Sequence, residues 1–122
     1  MNHRCLVLLA SACTTALASC GQISVRAVPG GDASAGRDAI VNYECGACHT
    51  IPGVPGAHTR VGPPLGGFAG RAIIAGKLPN TPDNLTLWIE HPQQVVPGVD
   101  MPDVGVDLSD ARNIAAYLYT LQ

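Results

Sequence analysis

A chain of 122 residues has room for one domain, and 13% charged against 47% hydrophobic residues makes it a compact globule rather than a disordered segment. The formal net charge of −2 offers no basic face, which argues against a nucleic-acid partner.

The first twenty residues, MNHRCLVLLASACTTALASC, place Arg4 near the start, then an uncharged stretch from Cys5 to Ala18. This pattern reads as a secretory signal over residues 1–19, too short to span a bilayer comfortably as a helix. A buried core helix would need an internal polar stripe, and none is visible. The LASC sequence at Leu17–Cys20 resembles the lipobox of bacterial lipoproteins. That resemblance implies acyl chains on Cys20 and a domain held at the periplasmic side of a bacterial membrane. The alternative is ordinary cleavage nearby, with Cys20 left as a thiol. Of the five cysteines, Cys5 and Cys13 would leave with the signal and Cys20 would be acylated, so Cys45 and Cys48 remain. Loss of Arg4 and of no acid leaves six basic residues against nine acidic ones, a net −3.

Residues 20–31 are expected to form the lipidated N-terminus and a short linker, since Pro29, Gly30 and Gly31 interrupt any periodicity. The domain then runs from 32 to 122. A first helix is expected from Asp32, a capping residue, to about Glu44, with Ala35, Ala39, Ile40 and Tyr43 at helical spacing. Gly and Pro dominate from Thr50 to Gly70 and exclude long regular elements. Ala72–Ala75 is read as a brief helical turn. A second helix starts at Thr81 with Pro82 in its first position and ends before Pro92. A proline-rich loop follows. The last helix is expected to start at Ser109 as N-cap, with Asp110 near its positive end and Ala111, Ile114, Ala115, Leu118 and Leu121 on one apolar face. No strand is expected. The fold class is all-α, three to five helices with long loops, and such loops need something besides polypeptide to organise them.

CGACH, Cys45 to His49, carries the chemistry. A structural zinc site needs four N or S ligands, and no second cysteine pair exists. A thioredoxin-like dithiol expects a βαβ setting. A disulfide within so short a loop leaves His49 unexplained. Covalent haem attachment accounts for all three residues: the thiols add to the two vinyl groups, and the adjacent histidine ligates the iron.

From Asp32 to Gln122 the sequence resembles the class I cytochromes c. The matching pieces occur in family order: a first helix with Gly36, CGACH, GPPLGG, a helix ending WIEHP, VPGVDMP and a C-terminal IAAYLYTL. The resemblance implies one haem c per chain with His49 as proximal ligand and the Pro63 carbonyl accepting its ring N–H. Arg71 matches a position that neutralises a haem propionate, its alternative being a solvated surface charge. Trp88 matches an aromatic packed near the sixth ligand, a role compatible with plain core packing. Gly36 is expected where the terminal helices cross, facing Tyr117 or Ile114.

The sixth ligand follows from residues alone. Beyond Met1, Met101 is the one methionine, set in a Gly/Pro loop before Pro102 among acidic residues, a poor place for a core side chain. His58 and His91 are its competitors and read as surface histidines. His/Met ligation closes the iron to substrate, so the expected activity is one-electron transfer in a respiratory chain and not catalysis. Electron-transfer partners such as a terminal oxidase or a bc1-type complex, and a monomeric state, are implied. Asp100, Asp103, Asp107 and Asp110 stand around the Met101 loop, where soluble relatives carry lysines, so docking is not expected to rely on a positive ring. Two other readings stay open: a permanent haem subunit of an oxidase or dehydrogenase complex, and a haem enzyme or gas sensor in which Met101 dissociates.

Overall fold

The structure is a computed structural model that describes residues 25–122; the expected signal peptide, the lipobox-like LASC and Cys20 lie outside the described residues. Four α-helices, two single 3-10 turns and one short hairpin make up the regular elements of the described residues. Helix α1, Ala33–Asn42, is capped by Asp32, whose carboxylate accepts the Ala35 N–H at 2.7 Å. Helix α2 is Pro82–Glu90, with Thr81 as its cap and Pro82 opening it. Helix α3 is a single turn, Pro92–Val95, and helix α4 is Leu108–Leu118.

Helices α1 and α4 form the main packing of the domain, and α2 lies against α4. The crossing is set by Gly36. A Cβ there would lie 1.9 Å from the Asn113 carbonyl oxygen and 2.9 Å from the Ile114 nitrogen, so only glycine lets the two backbones meet. Of the two partners expected for Gly36, Ile114 is the one it faces. Tyr117 points elsewhere, its hydroxyl donating to the Pro52 carbonyl at 2.7 Å.

Three local expectations are corrected. Ala72–Ala75 is no helical turn: strand β1, Ile73–Ile74, pairs antiparallel with strand β2, Leu78–Pro79. Ala75 and Gly76 both have positive φ, and the Lys77 N–H bonds to the Ile74 carbonyl at 2.9 Å. Consecutive positive φ values give the tight hairpin turn whose twist suits paired strands, and β-branched Ile73 and Ile74 favour the extended backbone before it. The last helix is capped by Asp107, not Ser109; the Asp107 carboxylate accepts the Asp110 N–H at 2.9 Å, which places Ser109 inside the first turn. The loop after α2 also begins with α3, because Pro92 supplies a helical φ at no cost in hydrogen bonds.

Residues 25–31, read as linker, lie along the domain. Val28 is buried, and the Arg26 guanidinium donates to the Asn80 carbonyl at 2.6 Å while resting 4.9 Å above the Tyr119 ring. Asn80 is itself buried and fully used: its Nδ2 donates to the Phe68 and Arg71 carbonyls, and its Oδ1 accepts the Tyr119 hydroxyl at 2.8 Å. One side chain thus fastens the Phe68–Arg71 turn to the end of α4, and its backbone carbonyl holds the N-terminal arm. Burial pushes the Tyr119 hydroxyl above its ordinary pKa, with Arg26 opposing the shift.

Candidate functional site

Helix α1 ends at Tyr43, and Glu44 takes a left-handed φ of 55°, unusual for a residue with a side chain. The chain turns there into a single 3-10 turn, Cys45–Ala47, and the His49 N–H returns to the Cys45 carbonyl at 3.0 Å. Cys45, Cys48 and His49 therefore lie on one coil. Both cysteines are free thiols and half-buried. Burial pushes the Cys45 thiol up. Among the described residues, no third His, Cys, Asp or Glu gathers with them into a metal-binding cluster.

The following loop folds back onto this coil. The Thr59 hydroxyl donates to the Gly46 carbonyl at 2.6 Å, the Gly62 N–H bonds to the Cys48 carbonyl at 2.8 Å, and the Leu65 N–H bonds to the Thr50 carbonyl at 2.8 Å. These contacts bring Pro63 against His49, whose Nδ1 lies 2.7 Å from the Pro63 carbonyl oxygen. A carbonyl only accepts, so Nδ1 carries the proton and Nε2 keeps its lone pair. Gly62 leaves room for the ring, since a Cβ there would come within 2.6 Å of it.

His49 and both thiols face a cleft of about 340 Å³. Its walls are apolar: Ile40, Phe68, Leu85, Ile89, Ile114 and Leu118, all buried, come from α1, α2, α4 and the Phe68 turn. Trp88 and Met101 line the same cleft from α2 and from the loop before α4. Among the sequence-derived candidates, Cys45, Cys48, His49, Pro63, Trp88 and Met101 thus share one cavity. Arg71 does not line it. Its guanidinium covers the Phe68 ring at 5.0 Å and donates to the Pro64 carbonyl, beside Pro63. His58 and His91 are exposed and stand outside the cleft lining; His91 lies 3.8 Å from the Asp103 carboxylate.

Two contacts of this region are not foreseen from the sequence, in which nothing marks Gln93 and Tyr43 reads only as part of the apolar face of the first helix. Gln93 of α3 bonds to the backbone of the Met101 loop, and the Tyr43 hydroxyl donates to the Asp110 carboxylate at 3.1 Å, tying the end of α1 to the start of α4 at the cleft rim. That carboxylate raises the Tyr43 pKa above its ordinary value. Neither residue belongs to a motif with a fixed offset, so no local signal marked them.

A small helical domain whose terminal helices cross at a glycine, and whose thiol-flanked histidine faces an apolar cleft, has the architecture of a class I cytochrome c. Residues 33–122 match the family model described as Cytochrome c, and the chain belongs to the cytochrome c family. It is 37% identical over 108 residues to cytochrome c2 of Rhodopila globiformis, covering 77% of this chain and 97% of that protein. It is 34% identical over 103 residues to cytochrome c of Tetrahymena pyriformis, covering 75% and 90%. Cytochrome c oxidase subunit 2 of Alkalihalophilus pseudofirmus is 37% identical over 92 residues, 74% of this chain, but the match spans only 26% of that longer protein. The family carries covalently bound haem c and transfers electrons. This chain's own residues fit such a group: two free thiols and an imidazole with one nitrogen to spare, and an apolar cleft between helices.

Proposed function

We propose that this chain binds one haem, that Cys45 and Cys48 would hold it through thioether links and His49 and Met101 would ligate its iron, and that the chain carries single electrons in a respiratory chain at a membrane surface. The observation that carries the reading is the meeting of His49 and Met101 in one apolar cleft while His58 and His91 stand outside it. Haem, when bound, supplies an iron that gains or loses one electron. The remaining work belongs to the protein. The Pro63 carbonyl fixes the His49 ring and strengthens its Nε2 as a donor. A thioether ligand favours the reduced iron and so raises the potential. Ile40, Leu85 and Ile114 keep water from the site, which limits the charge rearrangement that accompanies each transfer. Trp88 lines the same cleft from α2. Arg71 braces the Pro63–Pro64 segment through the Pro64 carbonyl, and its charge, matched by resemblance to a propionate partner, stands outside the cleft lining.

Acyl chains on Cys20 would tether the domain on the periplasmic side of a bacterial membrane, next to a terminal oxidase or a bc1-type complex. The cleft is rimmed by Glu44 and Asp100, with Asp103 and Asp107 close by in sequence and no lysine or arginine in the lining. Docking therefore does not use a positive ring, and tethering compensates by raising the local concentration of the partner. We expect ferrous protein to be oxidised by oxidase-bearing membranes at a rate that changes less than about twofold as salt rises from 0.01 to 0.15 M, where the Debye length falls from about 30 to about 8 Å. Failure to be oxidised would contradict the carrier role, and a steep loss of rate with salt would contradict the docking mode.

The oxidase subunits among the relatives favour one second reading, a permanent haem subunit of a larger complex. Co-purification with such a complex after mild detergent extraction distinguishes it from a free carrier.

A further inference from the structure

The segment from Val96 to Asp107 contains no helix or strand, yet it must hold Met101 at the cleft. Its own hydrogen bonds are local. The Val99 N–H reaches the Val96 carbonyl at 3.2 Å, and the Gly105 N–H reaches the Asp103 carboxylate at 3.1 Å. Gly98, with φ of 80°, turns the chain in a conformation that constrains nothing beyond itself.

Gln93 supplies what the segment lacks. Its Nε2 donates to the Val99 carbonyl at 2.7 Å and to the Met101 carbonyl at 2.8 Å, and its Oε1 accepts the Gly98 N–H at 3.2 Å. A side-chain amide carries both donors and the acceptor that this set requires; a carboxylate has no donor, and an aliphatic chain has neither. Two carbonyls and one N–H also fix which end of the amide is nitrogen. Gln93 itself stands on a fastened element: Pro92 and Val95 of α3 are buried, and the Lys77 ammonium donates to the Val95 carbonyl at 2.6 Å. Among the described residues, Gln93 is the one side chain whose hydrogen bonds join the 98–101 backbone to a helix.

We propose that Gln93 is a positioning residue for Met101: it holds the loop in register with the cleft and thereby sets how often the thioether leaves the sixth position. The proposal rests on Met101 being the sixth ligand. Loss of these hydrogen bonds, which hold the 98–101 backbone to α3, raises the open fraction by about ten- to a hundredfold. The consequence is a carrier whose closed, substrate-free state depends on one amide eight residues from the ligand.

The test compares parent holo-protein with Gln93→Leu and Gln93→Glu, the second keeping size and one acceptor while removing both donors. In the parent, a weak far-red sulfur-to-iron absorption band reports the ligand, and far-UV circular dichroism reports the helices. Both variants are expected to bind carbon monoxide in the ferrous state at neutral pH about ten- to a hundredfold more tightly than the parent. They are also expected to lose the far-red band at a lower denaturant concentration than the helical signal. Unchanged carbon monoxide affinity in both variants overturns the positioning role. So does loss of band and helix together at one lowered midpoint, since that places the effect on the whole fold. A parent without the band overturns the Met101 assignment first and this proposal with it, so the two failures are told apart by which protein shows them.

Discussion

Gly36→Ala is expected to destabilise the protein by about 3 kcal/mol or more, a large part of the 5–15 kcal/mol available to a domain. The added Cβ would stand 1.9 Å from the Asn113 carbonyl oxygen, where ordinary contact begins at 3.4 Å, so α1 and α4 would have to part by about 1.5 Å. No rotamer relieves the clash, because the obstacle is backbone. Alanine gains about 1 kcal/mol over glycine in helix propensity, which is too little to offset the packing lost when Ala39 and Ile40 withdraw from Ile114 and Ala115. Thermal unfolding of the holo-protein would show a fall in Tm of more than about 10 °C, at about 4–8 °C per kcal/mol for a domain of this size. A Tm within about 2 °C of the parent would mean that the helices do not cross at Gly36.

The second large effect belongs to Asn80. Replacement by leucine keeps the volume approximately but removes three hydrogen bonds: the part-buried Arg71 carbonyl and the Tyr119 hydroxyl lose their Asn80 partner, while the Phe68 carbonyl keeps the Arg71 N–H at 3.1 Å. Each orphaned group costs about 1–3 kcal/mol, so a loss of about 2–4 kcal/mol is expected in denaturant unfolding. Tyr119→Phe should cost about 1 kcal/mol or somewhat more, since it strands only the Asn80 Oδ1. It should also change the alkaline limb of stability. The folded hydroxyl ionises above the unfolded value of 10.0, so its contribution is whole below that pH and is lost as pH rises through the folded value. Removing the hydroxyl removes that part of the decline. An Asn80→Leu protein as stable as the parent would contradict the saturated network.

These two cases show what a sequence can carry. Gly36, CGACH, the Thr81–Pro82 helix start and Met101 were legible because each signals through its own type and its immediate neighbours. The hairpin at Ile73–Pro79 was not, since four residues before a glycine fit a helical turn as well as a strand, and the choice fell to the positive φ of Ala75. Asp107 and Ser109 are both capping types two positions apart, and only the backbone decides between them. Asn80 and Gln93 look like ordinary loop polars. Their partners lie up to 39 residues away for Asn80 to Tyr119, and in a loop without periodicity for Gln93, so nothing local distinguishes them. The arm at 25–31 reads as a linker because Arg26 finds its carbonyl and its ring only in the fold.

His49 and Met101, which line one cleft, would both ligate the iron and leave it no open position. This ligation is tested most directly by the absorption spectrum of the oxidised protein, made in a host that matures c-type cytochromes, beside Met101→His. The account predicts a weak far-red sulfur-to-iron charge-transfer band in the parent that the substitution abolishes. A parent spectrum without that band would contradict it, leaving the sixth position open or held by His58 or His91 and the protein an enzyme or sensor instead of a carrier.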